Sequence, residues 1–208
     1  MNNSQTTAQT SERTAKATAT NSLVFPHGVA NLTIRVDASM TETYRAEFYG
    51  PKPQVTESDG LVSIDYPRFN PLIWGRTAAN VTLNPSKAWA LEIRGGVSHL
   101  DADLRNLELA GIDVVGGASQ FDVQLPRPTG AVPIAVSGGA SKLTLRRPAA
   151  VPARLHVGGG ASKLALDDQY FGAVGGPVRL ETPDYSAAAD RYEVEIGGGA
   201  SKITVARE

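Results

Sequence analysis

A short phrase, Gly-Gly-Ala-Ser or Gly-Gly-Val-Ser, recurs five times after residue 91, each time between runs of alternating aliphatic residues. The units read Leu91-Glu-Ile-Arg-Gly-Gly-Val-Ser-His-Leu, Ile112-Asp-Val-Val-Gly-Gly-Ala-Ser-Gln-Phe and Ile134-Ala-Val-Ser-Gly-Gly-Ala-Ser-Lys-Leu, then Leu155-His-Val-Gly-Gly-Gly-Ala-Ser-Lys-Leu and Val194-Glu-Ile-Gly-Gly-Gly-Ala-Ser-Lys-Ile. Counted between serines, the spacings are 21, 22, 21 and 39. Period-2 segments on both sides of a glycine corner, repeated at this length, specify a stack in which each rung covers the apolar face of its neighbour. The expected fold is therefore all-β, a single-domain β-solenoid (β-helix-like). A less regular piece of each unit, Arg105 to Leu109 or Ala131 to Pro133, suggests about three short strands per rung. The long last gap holds Val174-Gly-Gly-Pro-Val-Arg-Leu180, which reads as a degenerate rung with a protruding loop.

Alignment of the units predicts the core. Before the corner, Leu91 and Ile93, Ile112 and Val114, Ile134 and Val136, Leu155 and Val157, and Val194 and Ile196 point inward. After it come Leu100, Phe121, Leu143, Leu164 and Ile203, then Ala102, Val123, Leu145, Leu166 and Val205. At the corner itself Gly95, Gly96, Gly116, Gly117, Gly138, Gly139, Gly159, Gly160, Gly198 and Gly199 are expected to supply positive φ. Strand parity turns Ser98, Ser119, Ser141, Ser162 and Ser201 inward, where a small hydroxyl can satisfy corner backbone groups. These are structural roles.

Upstream, Asn31–Asp37, Tyr44–Phe48, Leu61–Tyr66 and Val81–Leu83 show strand patterning bounded by Gly, Pro, Asn or Asp. Residues 1–22 are rich in Ser, Thr, Asn, Gln and Ala, too poor in apolar side chains to offset the entropy of ordering, and are expected to form a disordered tail before a domain spanning 23–208.

Composition narrows the function classes. Twenty Lys and Arg nearly balance 21 Asp and Glu, so the global footprint of a nucleic-acid binder is missing. The chain has no cysteine, which removes disulfides, thiolate metal sites and a cysteine nucleophile. The N-terminus lacks the pattern of a signal peptide. Apolar runs such as Leu23-Val24-Phe25 and Leu72-Ile73-Trp74 are far shorter than the roughly 20 residues that span a bilayer. A soluble, cytoplasmic protein is the expectation.

The repeated Gly-Gly-Ala-Ser and Gly-Gly-Val-Ser strings, followed by Leu-x-Leu patterns, resemble the bacterial putative-adhesin family with the toastrack-type β-solenoid fold, most clearly over residues 91–208 and back to about residue 23. Related domains form the C-terminal part of envelope-stress response proteins. The resemblance implies a non-enzymatic, surface-presenting or sensing module.

Local motifs add little chemistry. Gly158-Gly-Gly-Ala-Ser-Lys163 has serine before lysine and a strand after it, the reverse of a phosphate loop. The calcium-binding roll needs a carboxylate in every turn, where these corners carry Ser and Lys. A Gly-x-Ser-x-Gly elbow would need glycine where Phe121, Leu143, Leu164 and Ile203 stand. His27, His99 and His156 show no metal-ligand spacing. No cofactor or metal is expected.

Asp101 and Asp122 share an outward column with Asp103 nearby. On rungs about 4.8 Å apart such a pair could raise one pKa and make a general acid. Arg146 and Asp167 are placed to form a cross-rung ion pair. The most regular polar feature is a basic column, His99, Gln120, Lys142, Lys163 and Lys202, with Arg179 as a further candidate. It either presents a cationic ridge to a partner or solubilises the face.

The leading expectation is a non-catalytic, adhesin-like or scaffold module for a protein or polysaccharide of unknown identity. The alternatives are a carbohydrate-active β-helix enzyme using Asp101 and Asp122, and a homo-oligomer assembled through the solenoid ends.

Overall fold

The structure, a computed structural model, describes residues 20–66 and 77–208. The expected tail to residue 19 and the Leu72-Ile73-Trp74 run lie outside the described residues. The ordered domain begins two residues earlier than expected, because Asn21 and Ser22 already belong to the first strand and Asn21 is buried.

Among the described residues every regular element is a strand, and these strands form two nine-stranded sheets. From one end to the other, the first sheet runs β4 (Gln54–Ser58), β5 (Leu61–Asp65), β1 (Asn21–Phe25), β7 (Trp89–Arg94), β9 (Leu109–Val115), β11 (Ala131–Val136), β17 (Arg191–Ile196), β13 (Ala153–Val157) and β16 (Val178–Glu181). The second runs β3 (Tyr44–Tyr49), β6 (Ala78–Leu83), β2 (Val29–Val36), β8 (Val97–Asp103), β10 (Ala118–Gln124), β12 (Ala140–Arg147), β18 (Ala200–Arg207), β14 (Ala161–Leu166) and β15 (Gln169–Val174).

The all-β solenoid expected from the repeat is present, with two strands per rung where about three were anticipated. Arg105 and Asn106 form a turn stapled by Leu107 N–H to Leu104 O at 2.9 Å, and both leucines are buried plugs at the sandwich margin. Ala131 to Pro133 is simply the first half of β11. All twenty inward residues predicted from the repeat are buried, none above 3% exposure. Most parallel sheets are covered by helices on both faces and read as continuous apolar runs. Here each sheet covers only the other, so the outer faces meet water and the strands alternate apolar and polar.

The order of rungs departs from the order of repeats. The last rung, β17–β18, does not follow the fourth but is inserted between the third, β11–β12, and the fourth, β13–β14. Likewise β1–β2 sits between β5–β6 and β7–β8. The segment read as a degenerate rung is instead an end cap: β15 and β16 run antiparallel to β14 and β13, and Val174-Gly-Gly-Pro is the link between them. At the other end β3 and β4 cap β6 and β5 in the same way. The β4–β5 hairpin turns through Asp59 and Gly60 at φ 46° and 83°, the left-handed pair that two-residue hairpins require.

The glycine corner and the lysine row

The corners of the repeats stack into a continuous backbone ladder. Val97 N–H donates to Gly117 O at 3.0 Å, Ala118 to Gly139 at 3.1 Å, Ala140 to Gly199 at 3.1 Å and Ala200 to Gly160 at 2.9 Å. Most of these glycines do not serve the purpose expected of them. Of the ten, only Gly95, Gly96 and Gly116 have left-handed φ. Gly138, Gly159 and Gly198 are required instead by the closeness of neighbouring rungs: a Cβ on Gly138 would lie 2.5 Å from Gly116 O, and one on Gly198 2.9 Å from Gly138 C.

The serines also differ from expectation. It is the residue before each serine, Val97, Ala118, Ala140, Ala161 or Ala200, that is buried, while the serines and the residues after them face outward. Parity breaks because each strand bulges there. In the last three rungs the bulge residue is a lysine in the left-handed region: Lys142 (φ 51°), Lys202 (φ 55°) and Lys163 (φ 54°). Two consecutive residues then share the outer face before Leu143, Ile203 or Leu164 returns to the core. Because every rung bulges at the same place, the ladder stays in register. Ser141 Oγ donates to Ser119 O at 3.1 Å, so a hydroxyl does meet the corner backbone, from outside.

Along this corner runs an open trough of about 750 Å³, floored by the glycines and lined by Ser98, Ser119, Ser141, Ser201 and Ser162. Beside it the basic column takes the order His99, Gln120, Lys142, Lys202, Lys163, so rung insertion sets Lys202 between the other two lysines. Arg179 is not part of it; it lies in the other sheet opposite His156.

A contrast between the two kinds of cation marks this row. Every described arginine except Arg127 is within 4.0 Å of a carboxylate, whereas none of the described lysines is. The arginines are spent inside the structure. Three lysines on adjacent rungs are left with their charge uncompensated.

The carboxylate column is built differently from what a general acid needs. Asp101 and Asp122 are adjacent as expected, but arginines that the repeat alignment did not place there neutralise them. Arg35 Nη1 is 2.9 Å from Asp101 Oδ1, and Arg146 holds Asp122 through both guanidinium nitrogens, the longer bond at 3.2 Å. Asp103 is held by Arg105 at 2.6 Å, which lowers its pKa below the ordinary carboxylate value. The expected Arg146–Asp167 pair is absent. Asp167 is bound by the buried Arg147, one residue along, because Asp167 sits in the left-handed β14–β15 turn rather than on a strand face.

Among the described residues no three His, Asp or Glu side chains gather to hold a metal ion, and no helix is long and apolar enough to cross a membrane. His27 pairs with Asp65 at 2.6 Å, His156 lies 3.8 Å from Glu195, and His99 is exposed. One cluster had no signal in the repeat: Tyr185, from the loop before β17, lies between the guanidinium carbons of Arg154 and Arg191 at 5.1 and 5.3 Å and donates to Glu193 at 2.8 Å. It pins that loop to the outer face of the first sheet.

Comparison with known proteins agrees with this architecture. The structure is similar to a crystal structure of a putative cell adhesion protein from Clostridium sporogenes ATCC 15579, with a TM-score of 0.67 at 19% identity, covering 92% of this chain and 94% of that one. At that identity the likeness establishes the fold. No curated protein matches the sequence. The profile described as the N-terminal domain of toast_rack, DUF2154, matches residues 2–146, which is most of the chain and takes in the rungs up to β12. The chain belongs to the toast-rack N-terminal domain family.

Proposed function

We propose that this protein is a non-catalytic, adhesin-like interaction module that holds an extended anionic polymer, an acidic polysaccharide, along the corner trough. The observation that carries the reading is the set Lys142, Lys202 and Lys163: three cations on consecutive rungs beside a serine-lined trough, with no carboxylate within 4.0 Å among the described residues, where all the described arginines but Arg127 are paired. Rungs about 4.8 Å apart repeat at close to the length of one sugar ring, so a linear polymer carrying regular negative charges can meet successive lysines. Left-handed φ at a non-glycine residue costs about 1 kcal/mol. Glycine would avoid that cost, yet lysine, and with it a positive charge, stands at all three places. The name of the Clostridium sporogenes neighbour supports an adhesive role in general terms.

Polygalacturonate and its fully methyl-esterified, uncharged counterpart separate charge recognition from general stickiness. The expected result is binding of the acidic form only, weakening as salt rises and lost in the triple variant Lys142→Gln, Lys163→Gln, Lys202→Gln. Equal binding of both forms, or undiminished binding by the triple variant, overturns the reading. The enzymatic alternative rests on Asp101 and Asp122, whose pairing with Arg35 and Arg146 favours a structural role. Cleavage of the polymer that disappears in Asp101→Asn or Asp122→Asn would restore it.

A further inference from the structure

Among the described residues four strands form the edges of this stack, and three of them carry charge: Glu57 on β4, Arg45 and Glu47 on β3, and Arg179 and Glu181 on β16. Such charges discourage pairing with other chains. β15 has none. Its sequence is Gln169-Tyr-Phe-Gly-Ala-Val174, and residues 170–173 are exposed, with Tyr170 at 67% and Phe171 at 38%. It bonds β14 along one side, and no strand of the described residues pairs with its other side.

Nothing among the described residues requires glycine at Gly172, in the middle of this strand. Its φ is not left-handed, and a Cβ there would meet nothing within 4 Å. Glycine weakens a strand interior unless something approaches closely. Corner glycines such as Gly138 and Gly198 are explained by such an approach from the next rung, and beyond β15 the described residues hold no further rung.

We propose that β15 pairs antiparallel with β15 of a second copy of this chain about a two-fold axis, joining the two second sheets into one. Residues opposite each other in a two-fold antiparallel pair lie on the same face, a condition met by the register centred on Phe171. That register sets the two Phe171 rings against each other and each Tyr170 over Gly172 of the second copy, where a ring covers a glycine that its own chain leaves bare. Phe171 stands beside the core residue Leu164, and Tyr170 beside the outward Ala165. The join therefore continues the core on one face and shelters a tyrosine on the other. This complementarity within one six-residue strand, large against small about its own centre, selects a second copy over an unrelated peptide. Lys163 lies on β14, the neighbouring strand, so pairing also brings two lysine rows into one assembly.

Sedimentation velocity on the full chain over a wide concentration range tests the inference. A dimer is expected, converted to monomer by Phe171→Glu and by Gly172→Val without loss of far-UV circular dichroism, since both sites are exposed in one copy. Val55→Glu at the opposite end leaves the dimer intact. Because the chain has no cysteine, Phe171→Cys should yield a covalent dimer on mild oxidation. A monomer at all concentrations, a ladder of longer polymers, or a dimer that survives Phe171→Glu overturns it.

Discussion

Leu143 lies beside Ile203, and Ile203 separates it from Leu164, its counterpart in the next repeat. The rung nearest the C-terminus is thus clamped on both sides by parallel strands. Backbone amides of β17 and β18 should exchange with deuterium only through global unfolding, more slowly than those of β15 and β16, although terminal strands ordinarily fray. Native-state hydrogen exchange reads this directly. Ile203→Ala should cost about 2 to 5 kcal/mol in a urea melt, as for any fully buried aliphatic residue.

Gly138 and Gly175 should respond oppositely to alanine. A Cβ at Gly138 collides with the backbone of the adjacent rung, which has no flexible end to move aside, and Gly138→Ala is expected to cost about 1 to 3 kcal/mol or more. Gly175 has open space around its Cβ position and no left-handed φ, so Gly175→Ala should be neutral or slightly stabilising. Paired chemical melts decide between them.

Lys202→Gly separates strain from binding at one residue. Removing the left-handed side chain should stabilise the fold or leave it unchanged, by up to about 1 kcal/mol, while weakening the acidic polymer by the loss of the central charge. Isothermal titration alongside thermal melts measures both, and a loss of stability would show that the lysine is needed for packing.

The two neighbouring arginines of β12 should differ sharply. Arg147 is buried, donates to Val151 O and to Asp167, and its removal in Arg147→Leu leaves a mostly buried carboxylate with only the longer contact to Arg207 at 3.9 Å, at about 3 to 5 kcal/mol. Arg146 pairs with an exposed Asp122, so Arg146→Leu should cost no more than about 1 kcal/mol. Urea denaturation of each variant checks the contrast.

Tyr66 predicts an alkaline limit. Its buried hydroxyl donates to Ala78 O at 2.6 Å, and burial pushes its pKa up from 10.0 to about 12. The folded state favours the protonated phenol, so this contribution to stability is intact below pH 10 and is lost as pH rises toward 12. Tyr66→Phe should make stability less dependent on pH across that window, followed by denaturant melts at several pH values.

Much of this was legible beforehand because a strand has a period of two and a repeat multiplies the signal. Leu91 to Val205 could be assigned to the core one residue at a time, and the lysines could be placed in one column. The serine error has a local cause: parity counts residues, and a bulge at Lys142, Lys163 or Lys202 adds one to the outer face without any mark in the pattern. Arg35 and Arg146 were missed beside the aspartates because ion pairing here runs diagonally between rungs, and long side chains leave the column to which alignment assigns them.

The sequence by itself determined that this chain would be stacked β-strands with glycine corners and an aliphatic core, since alternation and close backbone approach are local demands written residue by residue. It left open which rung lies next to which. All five repeats present nearly the same faces, so each could stack on any other with similar burial. That order was decided by the tertiary fold, in which the antiparallel caps β15 and β16 occupy the end position and the last rung goes inward, setting Lys202 between Lys142 and Lys163.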